Sequence, residues 1–308
     1  MSPSSTSRGG SSAGFCVCSL GGAVLPRKAG GFVSVRGNLT VATSPPNLHD
    51  SLGMAYQWAG RYAEAIQAYE KALSLNSRFD VAAIHLANTY VWQGRYHDAE
   101  RQYQQLIGIA SYDLMRSRAF ASLAQLYIRS GKLDEAERAV GEAHKLNKQQ
   151  ASSLLLLALA RDRLTTAEKL MAIIDAYSPY DRGNRGYERD IAYYRASYAL
   201  KGGRADEAIL NFTEAIRHRP LAWNIDAYED CLANAYLQLG RFDEAITEYE
   251  RILRITPNYP LVYYHLAKAY EGKGQMDEAR SAYRRFLQIW ADADADIPEV
   301  VAARRSLA

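Results

Sequence analysis

Residues 236–250 read Tyr-Leu-Gln-Leu-Gly-Arg-Phe-Asp-Glu-Ala-Ile-Thr-Glu-Tyr-Glu. Residues 270–284 read Tyr-Glu-Gly-Lys-Gly-Gln-Met-Asp-Glu-Ala-Arg-Ser-Ala-Tyr-Arg, the same pattern 34 residues later. Each stretch has a Tyr, a Gly four residues on, an Ala five past the Gly and an aromatic nine past it. Working outward, the Tyr and Gly recur at Tyr56/Gly60, Tyr90/Gly94, Tyr127/Gly131, Tyr198/Gly202, Tyr236/Gly240 and Tyr270/Gly274. The alanines are Ala65, Ala99, Ala136, Ala208, Ala245 and Ala279, the fourth counted from Gly203. Their spacings, 34 and 37 in the first half and 37 and 34 in the second, fix a repeat near 34 residues. A period of that size means a stacked array, and it has to be recognised before any domain count.

Each unit carries two apolar faces at helical spacing. Leu52, Ala55, Tyr56 and Ala59 share one, and Ala65, Ile66, Tyr69, Ala72 and Leu73 share the next. The Gly between them suits a left-handed helix terminus. Acidic pairs follow it at Asp134-Glu135, Asp206-Glu207, Asp243-Glu244 and Asp277-Glu278. The Asp is expected to cap the second helix, and the pair faces the positive end of its dipole.

This pattern resembles the tetratricopeptide repeat, a 34-residue helix-turn-helix unit, in its bacterial form. The resemblance covers about 46–293. It departs from the family where a Trp is usual near each repeat start; here those positions hold His49, Ala83, Phe120, Glu229 and Tyr263. The closing Pro survives as Pro220 and Pro257. The implied fold is all-α: a right-handed α-solenoid of about seven such repeats with a C-terminal capping helix. Repeats 1–4 are expected over 46–177, with 151–177 degenerate and its turn shortened. An irregular break or hinge follows over 178–187, then repeats 5–7 over 188–293 and the cap over 294–308. Pro298 and the acids beside it suit the start of that last helix. The string from Trp290 to Pro298 is similar to an ending common in bacterial members, where the array often follows a kinase, cyclase or winged-helix domain. A regulatory region of a larger multidomain signalling protein is therefore the alternative to a free-standing scaffold.

Composition narrows the function. The formal net charge is +3, but residues 1–49 hold four basic residues and no acid. The remainder has 33 basic and 34 acidic residues. A body with no excess positive charge argues against nucleic-acid binding as its main task. The Ser- and Gly-rich segment 1–45 has no hydrophobic periodicity and is expected to be a disordered tail. No apolar run reaches the ~20 residues of a membrane span. A cytoplasmic location is expected, or an exported or organelle-targeted one if the tail is a targeting peptide. Twelve of the 22 tyrosines occupy recurring repeat positions, so the tyrosine surplus is mostly repeat packing.

No catalytic constellation emerges. The acidic pairs recur once per repeat at helix starts, unlike carboxylates converging across a cleft. Asp292, Asp294 and Asp296 open like a calcium loop, but Ile297 stands where Gly is required and Ala303 where the closing Glu belongs. The six histidines show no metal spacing. The expectation is no enzyme, no cofactor and no metal.

The family resemblance implies that first helices line a concave groove that binds peptides or partner helices. The inward positions are then Met54, Trp58, Asn88, Trp92, Gln125, Arg129, Asn234, Gln238 and Lys268. Trp58 and Trp92 would anchor apolar side chains, or else pack on a neighbouring repeat. Asn88 and Asn234 offer donor and acceptor to a peptide backbone. A carboxylate clamp of the kind some members use is not expected, because Asp50, Met54, His85, Arg118 and Ser122 supply only one suitable cation. A monomer or weak oligomer is expected.

Overall fold

The computed structural model describes residues 45–177, 184–218 and 229–308. Among them lie fifteen helices and no strand. They pair along the chain: α1 (Pro46–Trp58) with α2 (Tyr62–Leu75), α3 (Asp80–Trp92) with α4 (Tyr96–Ile109), and α5 (Asp113–Arg129) with α6 (Leu133–Leu146). Next come α7 (Ala151–Ala160) with α8 (Leu164–Tyr177), α9 (Arg185–Lys201) with α10 (Ala205–Arg217), and α11 (Cys231–Gln238) with α12 (Phe242–Ile255). The last pair is α13 (Pro260–Gly272) with α14 (Met276–Ile289), followed by α15 (Pro298–Leu307). The result is an all-α helical-repeat solenoid, each helix packed chiefly on its sequence neighbours.

The repeat positions explain the packing. Ala65, Ala99, Ala136, Ala208 and Ala245 are fully buried, which lets the two helices of a pair approach closely. The aromatic side chains nine past the turn, Tyr69, Tyr103, Tyr249 and Tyr283, are buried just as deeply. Six turn glycines have positive φ between 69° and 76°. In the fifth unit it is Gly203, not Gly202, that takes this conformation.

The degenerate fourth unit differs from expectation. Its turn is not shortened: Asp162 adopts φ 57° where the other units use Gly. The Arg163 amide donates to the Ala158 carbonyl, as the Arg61 amide donates to Tyr56. What is short is the first helix, ten residues against thirteen in α1 and α3. Ala158 replaces the usual Tyr there, which hid the unit from the Tyr/Gly pattern.

Helix capping also differs. The residue before most second helices is a cation, as at Arg61, Arg95, Lys132, Arg204 and Arg241, with Gln275 in that place before α14, and no side chain caps these helices. The acidic pairs sit inside the first turn, where the helix dipole favours them. The preceding Arg reaches forward three residues to the acid: Arg61 to Glu64 at 2.7 Å, Arg204 to Glu207 at 2.7 Å and Arg241 to Glu244 at 2.6 Å. Its guanidinium also covers the ring of the Tyr that ends the first helix, at 4.5–4.8 Å for Tyr90, Tyr56, Tyr236 and Tyr198. An Arg one past the turn residue was thus a readable signal of how the helix starts.

The tail expected over 1–45 lies outside the described residues except for Pro45, and so does 178–183 of the expected break. The end of that break is helical. Asn184 caps α9 by accepting from the amides of Gly186 and Tyr187, so residues 185–187 belong to the helix.

The array does not stay open. Residues 290–297, between α14 and α15, lie against the turn of the second repeat. The Trp290 indole N–H donates to the Trp92 carbonyl at 2.9 Å. The Asp294 amide donates to the Gly94 carbonyl at 3.0 Å, and the Asp294 carboxylate accepts from the His97 amide at 2.9 Å. One turn earlier, a Cβ on Gly60 would stand 3.0 Å from Asn258, just before α13. Repeats 1 and 2 therefore close onto repeats 6 and 7, and one apolar cluster joins α3, α4 and α5 to α13, α14 and α15.

Candidate partner-binding wall

The first helices of the pairs present a polar face. Asn88 on α3 accepts from the Tyr103 hydroxyl at 2.6 Å, and Asn234 on α11 accepts from the Tyr249 hydroxyl at 2.6 Å. The same two repeat positions make the same bond in repeats 2 and 6. Asn234 is buried, and its Nδ2 has no hydrogen-bond partner among the described residues. In repeat 1 the Tyr69 hydroxyl donates instead to Gln57, which also accepts from Thr89.

Behind this row lies a second repeated device. Asp50 on α1 meets His85 on α3 at 2.8 Å, with the Tyr69 ring against the imidazole. Asp230 and His265 stand in the same register of repeats 6 and 7, with Tyr249 stacked on His265. Burial holds the His265 pKa below its ordinary value, while the charges of Asp230 and Glu299 push it up and Arg129 pushes it down. Arg129 on α5 also acts on Tyr103. So side chains from repeats 3, 6 and 7 and from the cap share one electrostatic neighbourhood, which the closed array makes possible.

The nine side chains expected to line the groove are spread over different settings. Met54 is half-buried in the core of the first repeat, against the cluster of Ala65, Ile66, Tyr69 and Leu86. Trp58 and Asn88 are half-buried. Gln125 is buried and Arg129 half-buried, both in contact with other groups. Gln238 is exposed, and so is Lys268, which pairs with Glu271 at 2.8 Å. Trp92 is placed differently from Trp58. Its ring packs on Tyr259 at 5.0 Å between centroids, and its carbonyl is taken by Trp290. It faces a distant repeat of the same chain, so it is part of the closure rather than an open anchor.

Sequence reading missed Asp50, His85, Asp230 and His265 as a duplicated set. The signal was available: each Asp lies ten before its turn Gly and each His nine before the next. Among the described residues no group of three His, Cys, Asp or Glu side chains is placed to hold a metal ion. None of the described helices is long and apolar enough to cross a membrane.

Several solved structures are similar to this chain. A tetratricopeptide repeat protein from Parabacteroides merdae is 14% identical, with TM-score 0.49 over 85% of this chain and 97% of that one. The TPR2AB domain of yeast Sti1, in a complex with pHSP90, is 20% identical with TM-score 0.36, covering 85% and 95%. Yeast Tom70 is 16% identical with TM-score 0.45, covering 85% and 54%. No curated protein matches the chain significantly. Four family models do match. Two described as tetratricopeptide repeat match residues 59–110 and 117–142, a third so described matches 261–289, and one described as TPR repeat matches 233–274. With glycines in left-handed turns at the family's spacing, these matches make the chain a member of the tetratricopeptide repeat family.

Proposed function

We propose that the protein is a non-catalytic scaffold that binds a segment of a protein partner along the wall of first helices. The observation that carries this reading is the repeated Asn–Tyr bond. Each Tyr hydroxyl occupies the carbonyl of its Asn and fixes the amide in one orientation, so the amide N–H of Asn88 and Asn234 is held ready for an acceptor. A peptide carbonyl is such an acceptor, and Asn234 Nδ2 has none among the described residues. An unsatisfied buried donor costs free energy, which a partner that moves the covering side chains aside would recover. Arg129 and His265 add charge and a further donor to the same wall. Met54, Trp58, Gln125, Gln238 and Lys268 extend the proposed surface, whereas Trp92 contributes to the wall's closure. The yeast Sti1 domain, which is in complex with pHSP90, sets a precedent for this use of a related repeat.

The test is quantitative affinity capture with three versions of the chain: wild type, Asn88→Ala/Asn234→Ala, and Arg138→Ala on the exposed side of α6 as a control. Proteins retained by wild type and by the control, but lost by the double variant, are the expected result. Equal retention by all three, with helical content intact by circular dichroism, would remove the wall assignment.

A further inference from the structure

We propose that residues 290–297 form a latch that opens and closes as a unit, separating the two ends of the array without unfolding any repeat. Three observations converge on it. The first is how the contacts are made. In a solenoid each repeat draws its core from its sequence neighbours. The seam contacts instead join residues nearly 200 positions apart, and none of them belongs to a helix's own hydrogen-bond ladder. Breaking them leaves every helix pair intact.

The second is the chemistry of the hook. Asp294 alone makes three contacts across the seam. Its amide donates to Gly94, its carboxylate accepts from the His97 amide, and the same carboxylate oxygen lies 2.7 Å from His97 Nδ1. Charge-assisted bonds to one side chain are strong but few, so one residue sets much of the seam's strength. The apolar part centres on two ring contacts, Trp92 on Tyr259 and Tyr96 edge-on to Trp290 at 6.3 Å, within the cluster that joins α3–α5 to α13–α15.

The third is how the latch is held on its own side. The cap α15 stays on repeat 7 through buried Val300 and Ala303 and through the Ser306 hydroxyl, which donates to Glu271 on α13 at 3.1 Å. The segment between α14 and α15 is thus anchored at both ends and presents Asp294 to the second repeat. Glycine at position 94 is required by that approach as well as by its φ of 71°, since a Cβ there would meet Ala293 at 2.8 Å and Trp290 at 2.9 Å. Opening widens access to the wall of first helices; that consequence rests on the partner-binding reading above, while the latch itself does not.

Hydrogen exchange in the full-length chain, followed by NMR without any partner, tests the latch alone. The reporters are the His97 and Asp294 amides and the Trp290 indole N–H, compared with interior amides of α13 such as Leu266. The expected result is that the three seam protons share one protection factor, at least about a hundredfold below that of α13. Asp294→Ala should lower the protection of the remaining seam protons about tenfold, the strength of one charge-assisted bond, and that of α13 by the same factor, because both openings start from the closed state and lose the same bond. Asp292→Ala should change neither. Seam protons as protected as α13 in the wild-type chain would show that the seam opens only by global unfolding, and would overturn the proposal. Three unrelated protection factors would overturn it too, as independent fraying.

Discussion

The turn of repeat 2 and the turn of repeat 6 have the same backbone: Gly94 and Gly240 both sit at φ 71°. Around Gly240 there is open space, whereas Gly94 lies under Trp290 and Ala293. Identical local rules therefore produced one solvent-facing turn and one half of a tertiary seam. The lesson is that a repeat's sequence determines its own hairpin, while the use to which the hairpin is put depends on what returns to meet it from far along the chain.

The contrast can be broken most forcefully at Trp290, which is only 2% exposed and bridges the two ends. Trp290→Ala should cost about 3–5 kcal/mol in urea denaturation, the usual range for truncating a buried aromatic. A cost below about 1 kcal/mol would mean that the seam contributes little. Next comes the glycine pair itself. Gly240→Ala should lose about 1–2 kcal/mol, the penalty for a side chain in the left-handed region. Gly94→Ala should lose that and about 1–3 kcal/mol more from overpacking against Trp290. Equal losses at the two sites would erase the distinction.

A second pair of regions sharpens the picture at smaller scale. Repeats 1–2 pair Asp50 with His85 directly, whereas the equivalent His265 in repeats 6–7 has a buried Nδ1 with no hydrogen-bond partner among the described residues and a pKa held below its ordinary value by burial. The unfolded chain then takes up a proton on this His before the folded chain does. Stability from this group is complete above pH 6.5 and falls as pH drops from there towards the folded pKa. Urea midpoints should fall as pH drops from 7.5 to 5.5, and His265→Gln should flatten the fall. The smallest effect is expected at the fourth turn. Asp162→Gly relieves a left-handed non-glycine residue but gives up an exposed ion pair with Lys201. A net gain below about 1 kcal/mol should follow, visible as a small rise in melting temperature.

These effects track what could be read from the chain. The helix pairs, the left-handed glycines and the small and aromatic core positions were legible because they are set within some 20 residues and repeat. The acidic pairs were assigned to the right helix ends and to the dipole there, but not to capping: at Arg204 and Arg241 the residue before the helix is a cation that an acid of the first turn answers. Asp162 shows the limit of pattern matching, since an Asp in the left-handed region preserves a turn that a search for Gly passes over. The seam left no periodic trace. Trp92 resembles Trp58 in sequence, and only the return of Tyr259 and Trp290 separates their roles. Asp294 looked like part of a failed calcium loop, yet its carboxylate serves the second repeat.

The most direct test of the closed array is a nuclear Overhauser contact between the Trp290 ring protons and the Gly94 α protons, in chain selectively labelled at Trp and Gly. A Cβ built on Gly94 stands 2.9 Å from Trp290 ring carbons, so a strong cross-peak is expected. Its absence, with both residues assigned and the cross-peaks within repeat 2 intact, would contradict closure and leave an open solenoid.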